Sequence, residues 1–412
     1  MVRRGGLLSL TFILSGLGIA AGPLIVQIRP VLAAEETDNA SAGLPQKPEP
    51  SNAEAQNKLG LKYLAGDGVP QDYAEAAKWF HKAAEQGLAV AQFHLGIMHR
   101  KGMGVPRDDA EAAKWYRQAA ERGLANAQYN LGYLHENGQG VAQDFGEALH
   151  WYRKAAEQGF PDAENNLGAL YQKGRGVPPD YAEALKWLRK AAAQGFARAQ
   201  CNLGIAYRDA QGVARDYAEA EKWFRKAAAQ GLAEAQNNLG FMFRDGLGLQ
   251  KDYVAAVRWY RRAAEQGHAE AQSSLGSMYY KGWGVLQDYA KALYWYGQAA
   301  ELGDAVAENN LGILYSEGHV GPPDDAEAAK WFRKAAEQGL AHSQYSLGAM
   351  LRDGKGVTQD DMEAYMWYSL SAASGFDAAR AALESLAVRM RPEQVAEAKK
   401  RANVWSATHS RK

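Results

Sequence analysis

Histidine and cysteine come first, because they carry most metal and nucleophilic chemistry. The chain has one cysteine, Cys201, so neither an intrachain disulfide nor a cysteine-based metal site can form. Of its nine histidines, His99 and His135 hold equivalent places in adjacent sequence units, and Glu136 follows the second. Two imidazoles beside a carboxylate are a metal-ligand set. The same place carries Tyr63, Tyr171 and Tyr207 elsewhere, so packing in place of tyrosine is the reading adopted. His94 likewise stands where asparagine recurs (Asn130, Asn166, Asn202, Asn238, Asn310); these asparagines are expected to satisfy backbone groups at unit junctions. Glycine pairs such as Gly66 and Gly68 look like phosphate loops, but they follow helical rather than strand patterns and lack a downstream lysine. No metal, no cofactor and no enzymatic activity are expected.

Recognition chemistry remains. With 47 basic and 47 acidic residues the formal charge is zero, which argues against a nucleic-acid partner. Aromatic and arginine side chains, the types that dominate interface hot spots, recur at fixed spacing. Counting Ala53 as position 1 of a unit, positions 2, 5, 9 and 12 share one side of a helix. Position 5 includes Phe93, Tyr129 and Tyr345; position 9 includes Tyr133 and Phe241; position 12 includes Arg100, Arg208, Arg244, Tyr280 and Arg352. The expected groove has Phe93, Tyr129 and Tyr133 at one end and Arg208 and Arg244 in its middle. The competing reading of position 9 is packing between units.

The elements that position these residues follow from internal repetition. Leu-Gly occurs at Leu59-Gly60 and eight more times, ending at Leu347-Gly348, always 36 residues apart. Trp79 to Trp367 and Gly87 to Gly375 recur in the same step. Each unit reads as two helices. Helix A runs from about Ala53 to Ala65, with Ala55, Leu59 and Tyr63 at helical spacing. Gly66-Asp67-Gly68-Val69-Pro70 is a loop. Helix B runs from about Tyr73 to Gln86, capped by Asp72 and closed by Gly87 in a left-handed conformation. Ala76, Phe80 and Ala83 form its buried stripe. A glycine inside helix A costs about 1 kcal/mol relative to alanine. Nine repetitions of that cost predict that helices A and B cross at Gly60 and its counterparts. One unit cannot bury its apolar faces alone, so neighbours stack. Residues 53–376 hold nine repeats and 377–390 a half repeat, with Glu384 in place of the glycine. Residues 391–405 form a capping helix in which Val404 and Trp405 close the last apolar face, and 406–412 are a frayed tail.

The run Ala-x-Ala-Gln-x-x-Leu-Gly-x-x-Tyr, then Gly-x-Gly-Val, then Asp-Tyr-x-x-Ala-x-x-Trp-x-x-x-Ala-Ala-x-x-Gly resembles the Sel-1-like repeat, a relative of the tetratricopeptide repeat. Ala364-Tyr365-Met366-Trp367-Tyr368 and Arg391-Pro392-Glu393-Gln394 resemble the terminal repeat and cap of bacterial members. The resemblance implies an all-α fold, a right-handed α/α solenoid of about nine 36-residue helix-turn-helix repeats plus the capping helix. It places positions 5, 9 and 12 on a concave surface and implies an adaptor or scaffold that binds protein partners, in envelope assembly, secretion or signalling control. Some cysteine-rich relatives are linked to β-lactam hydrolysis; this chain has no Ser-x-x-Lys run and lacks their paired cysteines. Departures are Ala210 for the first loop glycine, Val320 for the second, and Asp109, Asp325 and Asp361 for the tyrosine that opens helix B.

Arg3 and Arg4 precede an uncharged, largely apolar stretch, and Val31-Leu32-Ala33-Ala34 offers small residues at a cleavage spacing. Residues 1–34 read as a secretory signal or as an uncleaved anchor, and 35–52 as a disordered linker. The expected location is periplasmic or secreted, or the inner membrane facing the periplasm if the segment stays. Membrane contact is expected only in that last case. The alternative function is a cell-wall protein, binding peptidoglycan through exposed tyrosine and tryptophan or acting as a β-lactamase-related hydrolase.

Overall fold

The computed structural model describes residues 51–409. The signal segment and most of the linker lie outside them. The described residues form twenty helices and no strand. The A and B helices of the first three repeats are α1 (Ala53–Ala65) and α2 (Tyr73–Glu85), α3 (Ala89–Lys101) and α4 (Asp109–Glu121), and α5 (Ala125–Asn137) and α6 (Phe145–Glu157). The next three are α7 (Pro161–Lys173) and α8 (Tyr181–Ala193), α9 (Ala197–Asp209) and α10 (Tyr217–Ala229), and α11 (Ala233–Asp245) and α12 (Tyr253–Ala264). The last three are α13 (Ala269–Lys281) and α14 (Tyr289–Glu301), α15 (Ala305–Glu317) and α16 (Asp325–Glu337), and α17 (Ala341–Asp353) and α18 (Asp361–Ala373). Then come α19 (Asp377–Ala387) and α20 (Pro392–His409).

Local sequence explains the bounds. Asp72 Oδ1 accepts from the Glu75 amide at 2.9 Å and starts α2, and every later helix B is capped by an equivalent aspartate. Gly66 ends α1 at φ 74°, a conformation that costs glycine little. The second loop glycine meets the preceding repeat. A Cβ on Gly104 would lie 2.2 Å from the Tyr73 carbonyl carbon, so the loop sits directly on the start of the previous helix B.

Each A helix packs on the B helix of its own repeat and on that of the repeat before, which gives an α/α solenoid. The predicted crossing is present. A Cβ on Gly96 would lie 2.5 Å from the Tyr116 ring, and one on Gly60 would lie 2.7 Å from Phe80. What the glycine admits is chiefly the large ring at this place of helix B, more than the opposing backbone. Tyr116, Tyr152 and Phe224 are fully buried there.

At the C-terminal end, α18 packs on both α19 and α20. Trp405 stands edge-on to Trp367 at 5.9 Å. Val404 corrects the expectation: it is 56 % exposed, and Ala398 and Ala402 close that face instead. The expected tail is also helical as far as His409. The Thr408 hydroxyl donates to the Trp405 carbonyl at 2.9 Å, and the His409 ring stacks on Trp405 at 4.2 Å.

Candidate functional site

Side chains at the ends of A helices reach from one repeat to the next at several places along the array. Arg100 donates to Gln139 of the next repeat at 3.0 Å, and its guanidinium lies 4.8 Å from the Tyr133 ring centre. Arg208 reaches across in the same way. Its guanidinium stands over Phe241 at 5.7 Å, and Arg244 covers the same ring at 4.9 Å. The structure therefore brings Arg208, Phe241 and Arg244 together, and separately Arg100 and Tyr133. Position 9 is half-buried at both Tyr133 and Phe241.

Two of the expected groove residues are corrected. Phe93 and Tyr129 are 6 % and 4 % exposed. Phe93 packs against Tyr116 at 5.7 Å, and Tyr129 against Tyr152 at 5.7 Å and Phe160 at 5.3 Å. In these two repeats position 5 points beneath helix B, and its aromatic side chains fill the core. Tyr345 is half-buried, beside Tyr368 at 5.5 Å.

The arginines are not bare cations. Arg208 forms a two-pronged pair with Asp209 at 2.7 and 2.8 Å. Arg244 does so with Asp245 at 2.8 Å, and Arg352 with Asp353 at 2.7 Å. These hydrogen bonds hold the Asp209, Asp245 and Asp353 carboxyls below the usual carboxylate range. Arg208 also donates to Asn238. The pairs fix planar guanidinium forks and leave the local charge near zero. Tyr280 donates to Glu317 at 2.8 Å. Burial first, then the Glu317 hydrogen bond and charge, push its phenol up to about 12.

A cavity of about 360 Å³ opens beside Phe241. It is lined by Arg208, Asp209, Arg215, Tyr217, Asn237, Asn238, Leu247 and Glu270 as well. Helical spacing alone misses Arg215, Tyr217 and Leu247, because loops and the start of helix B bring them in. Their signal is the loop glycine Gly248, whose Cβ would lie 2.2 Å from Tyr217 Cβ.

The histidines are placed by packing. His135 meets Arg117 at 3.2 Å through Nε2. His94 meets Asn57 at 3.1 Å, and burial pulls it down to about 4. No group of three or more histidine, cysteine or acidic residues among the described residues is arranged to hold a metal. The recurrent asparagines differ from the expectation. Asn238 donates to the Glu234 carbonyl of its own helix at 2.8 Å, and Asn202 crosses the junction to a side chain, Asn165, at 2.9 Å.

The Sel1 repeat model matches the chain nine times in succession, from 53–88 to 341–376. A protective antigen of uropathogenic Escherichia coli with an SLR fold is 34 % identical, over 87 % of this chain and 84 % of that one, with a TM-score of 0.56. A Sel1 repeat protein of Oxalobacter formigenes is 33 % identical, over 59 % of this chain and 96 % of its own, with a TM-score of 0.55. Comparison with curated protein sequences gives no match.

Proposed function

The chain belongs to the Sel1 repeat family, and from that premise we propose that it is an extracytoplasmic scaffold that holds a segment of a partner protein on its A-helix face. Sel1-repeat solenoids are generally interaction scaffolds without catalysis of their own. The observation that carries the reading is the Phe241 ring between the guanidiniums of Arg208 and Arg244, at the mouth of a cavity spanning successive repeats. Large groups there face a space that packing leaves unfilled, and a similar cavity of about 400 Å³ opens beside Tyr345 further along the array. Arg100, Tyr133, Tyr280, Tyr345 and Arg352 extend the same face on either side.

The glycan reading has less support. Its stacking platforms would be exposed tyrosines and tryptophans. Trp79, Trp151 and Trp187 are buried, with lysines over all three rings at 4.2 to 4.7 Å, while Tyr73, Tyr181 and Tyr294 are exposed but line none of the cavities described above. Export rests on the N-terminal sequence. No helix among the described residues is long and apolar enough to cross a membrane.

The test is in-cell crosslinking of the full-length chain in fractionated envelope, with N-terminal sequencing of the bait. Wild type is compared with Phe241→Ala/Arg244→Ala and with Lys330→Ala on a B helix. Discrete partners lost only in the double variant, with a bait beginning near Glu35, support the scaffold reading. Partners kept by the double variant sink the assignment of the face, and a bait found in the cytoplasm sinks export.

A further inference from the structure

The A helices carry a ladder, nearer the core, that joins position 5 of one repeat to the next repeat. Asn57 Oδ1 meets His94 Nδ1 at 3.1 Å, and Asn165 Oδ1 accepts from Asn202 at 2.9 Å. Cys201 Sγ meets Asn238 Nδ2 at 4.0 Å. Asn309 Oδ1 accepts from the Ser343 hydroxyl at 2.8 Å. Of the four asparagines at position 5, Asn237 alone makes no such bond. Asn237 is 5 % exposed, and its Oδ1 is shut off from solvent with no hydrogen-bond partner. The physical cause is a pair of side chains in the next repeat. It places Ser274 where other rungs have His94, Asn202 or Asn238, and Ala271 where the Asn309 rung has the Ser343 hydroxyl. A buried acceptor left unpaired costs about 1–3 kcal/mol, so an unpaired amide oxygen beside a cavity invites a donor.

Asn237 lines the cavity beside Phe241. We propose that this cavity takes the main-chain amide of an extended polypeptide segment, with the Asn237 carboxamide as its hydrogen-bond partner. This rests on the scaffold reading and adds which chemical group of the partner is held, and by what. A carboxamide accepts and donates, which complements a peptide group. Its terminal torsion is broad and roughly two-fold, so rotation brings Oδ1 to the cavity wall. The lining argues for main chain over a charged side chain: Arg208 and Arg215 face Asp209 and Glu270, two charges of each sign. Arg208 is already committed to Asp209 and Asn238. Phe241 supplies the apolar wall.

The probe is a displayed library of short random peptides, enriched on the immobilised full-length chain. One enriched peptide is synthesised, together with derivatives N-methylated at each amide in turn. Affinities are measured by calorimetry for wild type, Phe241→Ala, Asn237→Ala and Ser274→Asn, with thermal melts of each. Ser274→Asn supplies the missing rung from inside, and asparagine is native to that place in five other repeats. The expected result is that Asn237→Ala and Ser274→Asn each weaken binding about tenfold, while Ser274→Asn melts no lower than wild type. One N-methyl derivative loses the same factor on wild type and none on Asn237→Ala. If Phe241→Ala weakens binding but the other two do not, the Asn237 proposal falls and the scaffold reading stands. If none of the three matters, or no peptide is enriched, both fall.

Discussion

Gln266 donates from its side chain to Gln236 Oε1 at 2.8 Å, and Gln236 donates in turn to the Ala228 carbonyl of the preceding repeat. The pair closes one repeat and stitches it to its neighbour. The same closure joins Gln86 to Gln56, Gln158 to Gln128 and Gln230 to Gln200. It is broken in three repeats, where Arg122, Leu302 and Ser374 replace the donor. In those three, Gln92, Gln272 and Gln344 keep a buried Oε1 without a partner. Leu302→Gln should therefore stabilise the chain by about 1 kcal/mol, since it removes a 53 % exposed leucine and satisfies Gln272. Urea denaturation reads this directly, and a midpoint at or below wild type refutes the clamp.

The same place holds a carboxylate in two repeats, Glu164 and Glu308, which accept from Gln194 at 2.8 Å and Gln338 at 2.7 Å. Burial raises both carboxyls above their ordinary 4.5. With folded pKa above unfolded, their contribution is fully present below about pH 4.5 and is lost as pH rises through the raised value. At neutral pH both are liabilities, because a carboxylate cannot donate to the preceding repeat's carbonyl as Gln128 does to Ala120 at 3.0 Å. Glu164→Gln should stabilise the chain at pH 7 by about 1 kcal/mol, with the gain shrinking as pH falls through the raised carboxyl value towards 4.5. A gain independent of pH would show that the carboxyl is not what costs stability.

Two glycines inside helices should respond oppositely to alanine. A Cβ on Gly96 enters the Tyr116 ring, which is 1 % exposed and has no room to move. A Cβ on Gly297, in α14, meets nothing within 4 Å. Gly297→Ala should stabilise by about 1 kcal/mol, and Gly96→Ala should destabilise by about 1–3 kcal/mol. Paired thermal melts decide it, and equal signs would remove the crossing as the reason for the recurrent glycine.

Helix bounds are legible in the sequence because their causes are local. Asp72 caps, Gly66 and Gly87 terminate, and the Leu-Gly pair keeps the register. Burial at position 5 is not local. Along helix A, positions 5 and 9 lie only about 40° apart at 3.6 residues per turn, so Tyr129 and Tyr133 read as one face. The Tyr152 and Phe160 rings draw Tyr129 inward, while Tyr133 lies half-buried under Arg100. The unpaired Asn237 is equally out of reach, because its cause is Ser274 together with Ala271, in the next repeat. The aspartates that replace tyrosine at the start of helix B make sense only beside their partners. Arg389 pairs with Asp361 at 2.6 Å, in the region where Tyr253 in an earlier repeat stacks on Trp283.

Ala210 is the one non-glycine residue with positive φ among the described residues, at 61°. It ends α9 where other repeats place glycine. Its amide still donates to the Ala206 carbonyl, so the cap is formed and the strain is intrinsic to the residue. A left-handed conformation costs an L-residue about 1–2 kcal/mol. Glycine removes that cost but loses about 0.5–1 kcal/mol more conformational entropy on folding. The difference leaves Ala210→Gly more stable by roughly 0.5–1 kcal/mol. Ala210→Val should move the other way, because a β-branched side chain is worse at positive φ. The two variants bracket wild type in denaturant midpoint if the backbone is held left-handed by the repeat stack. If Ala210→Gly falls below wild type, the loop there relaxes out of that conformation, and the close approach of Gly212 to Tyr181 does not fix it.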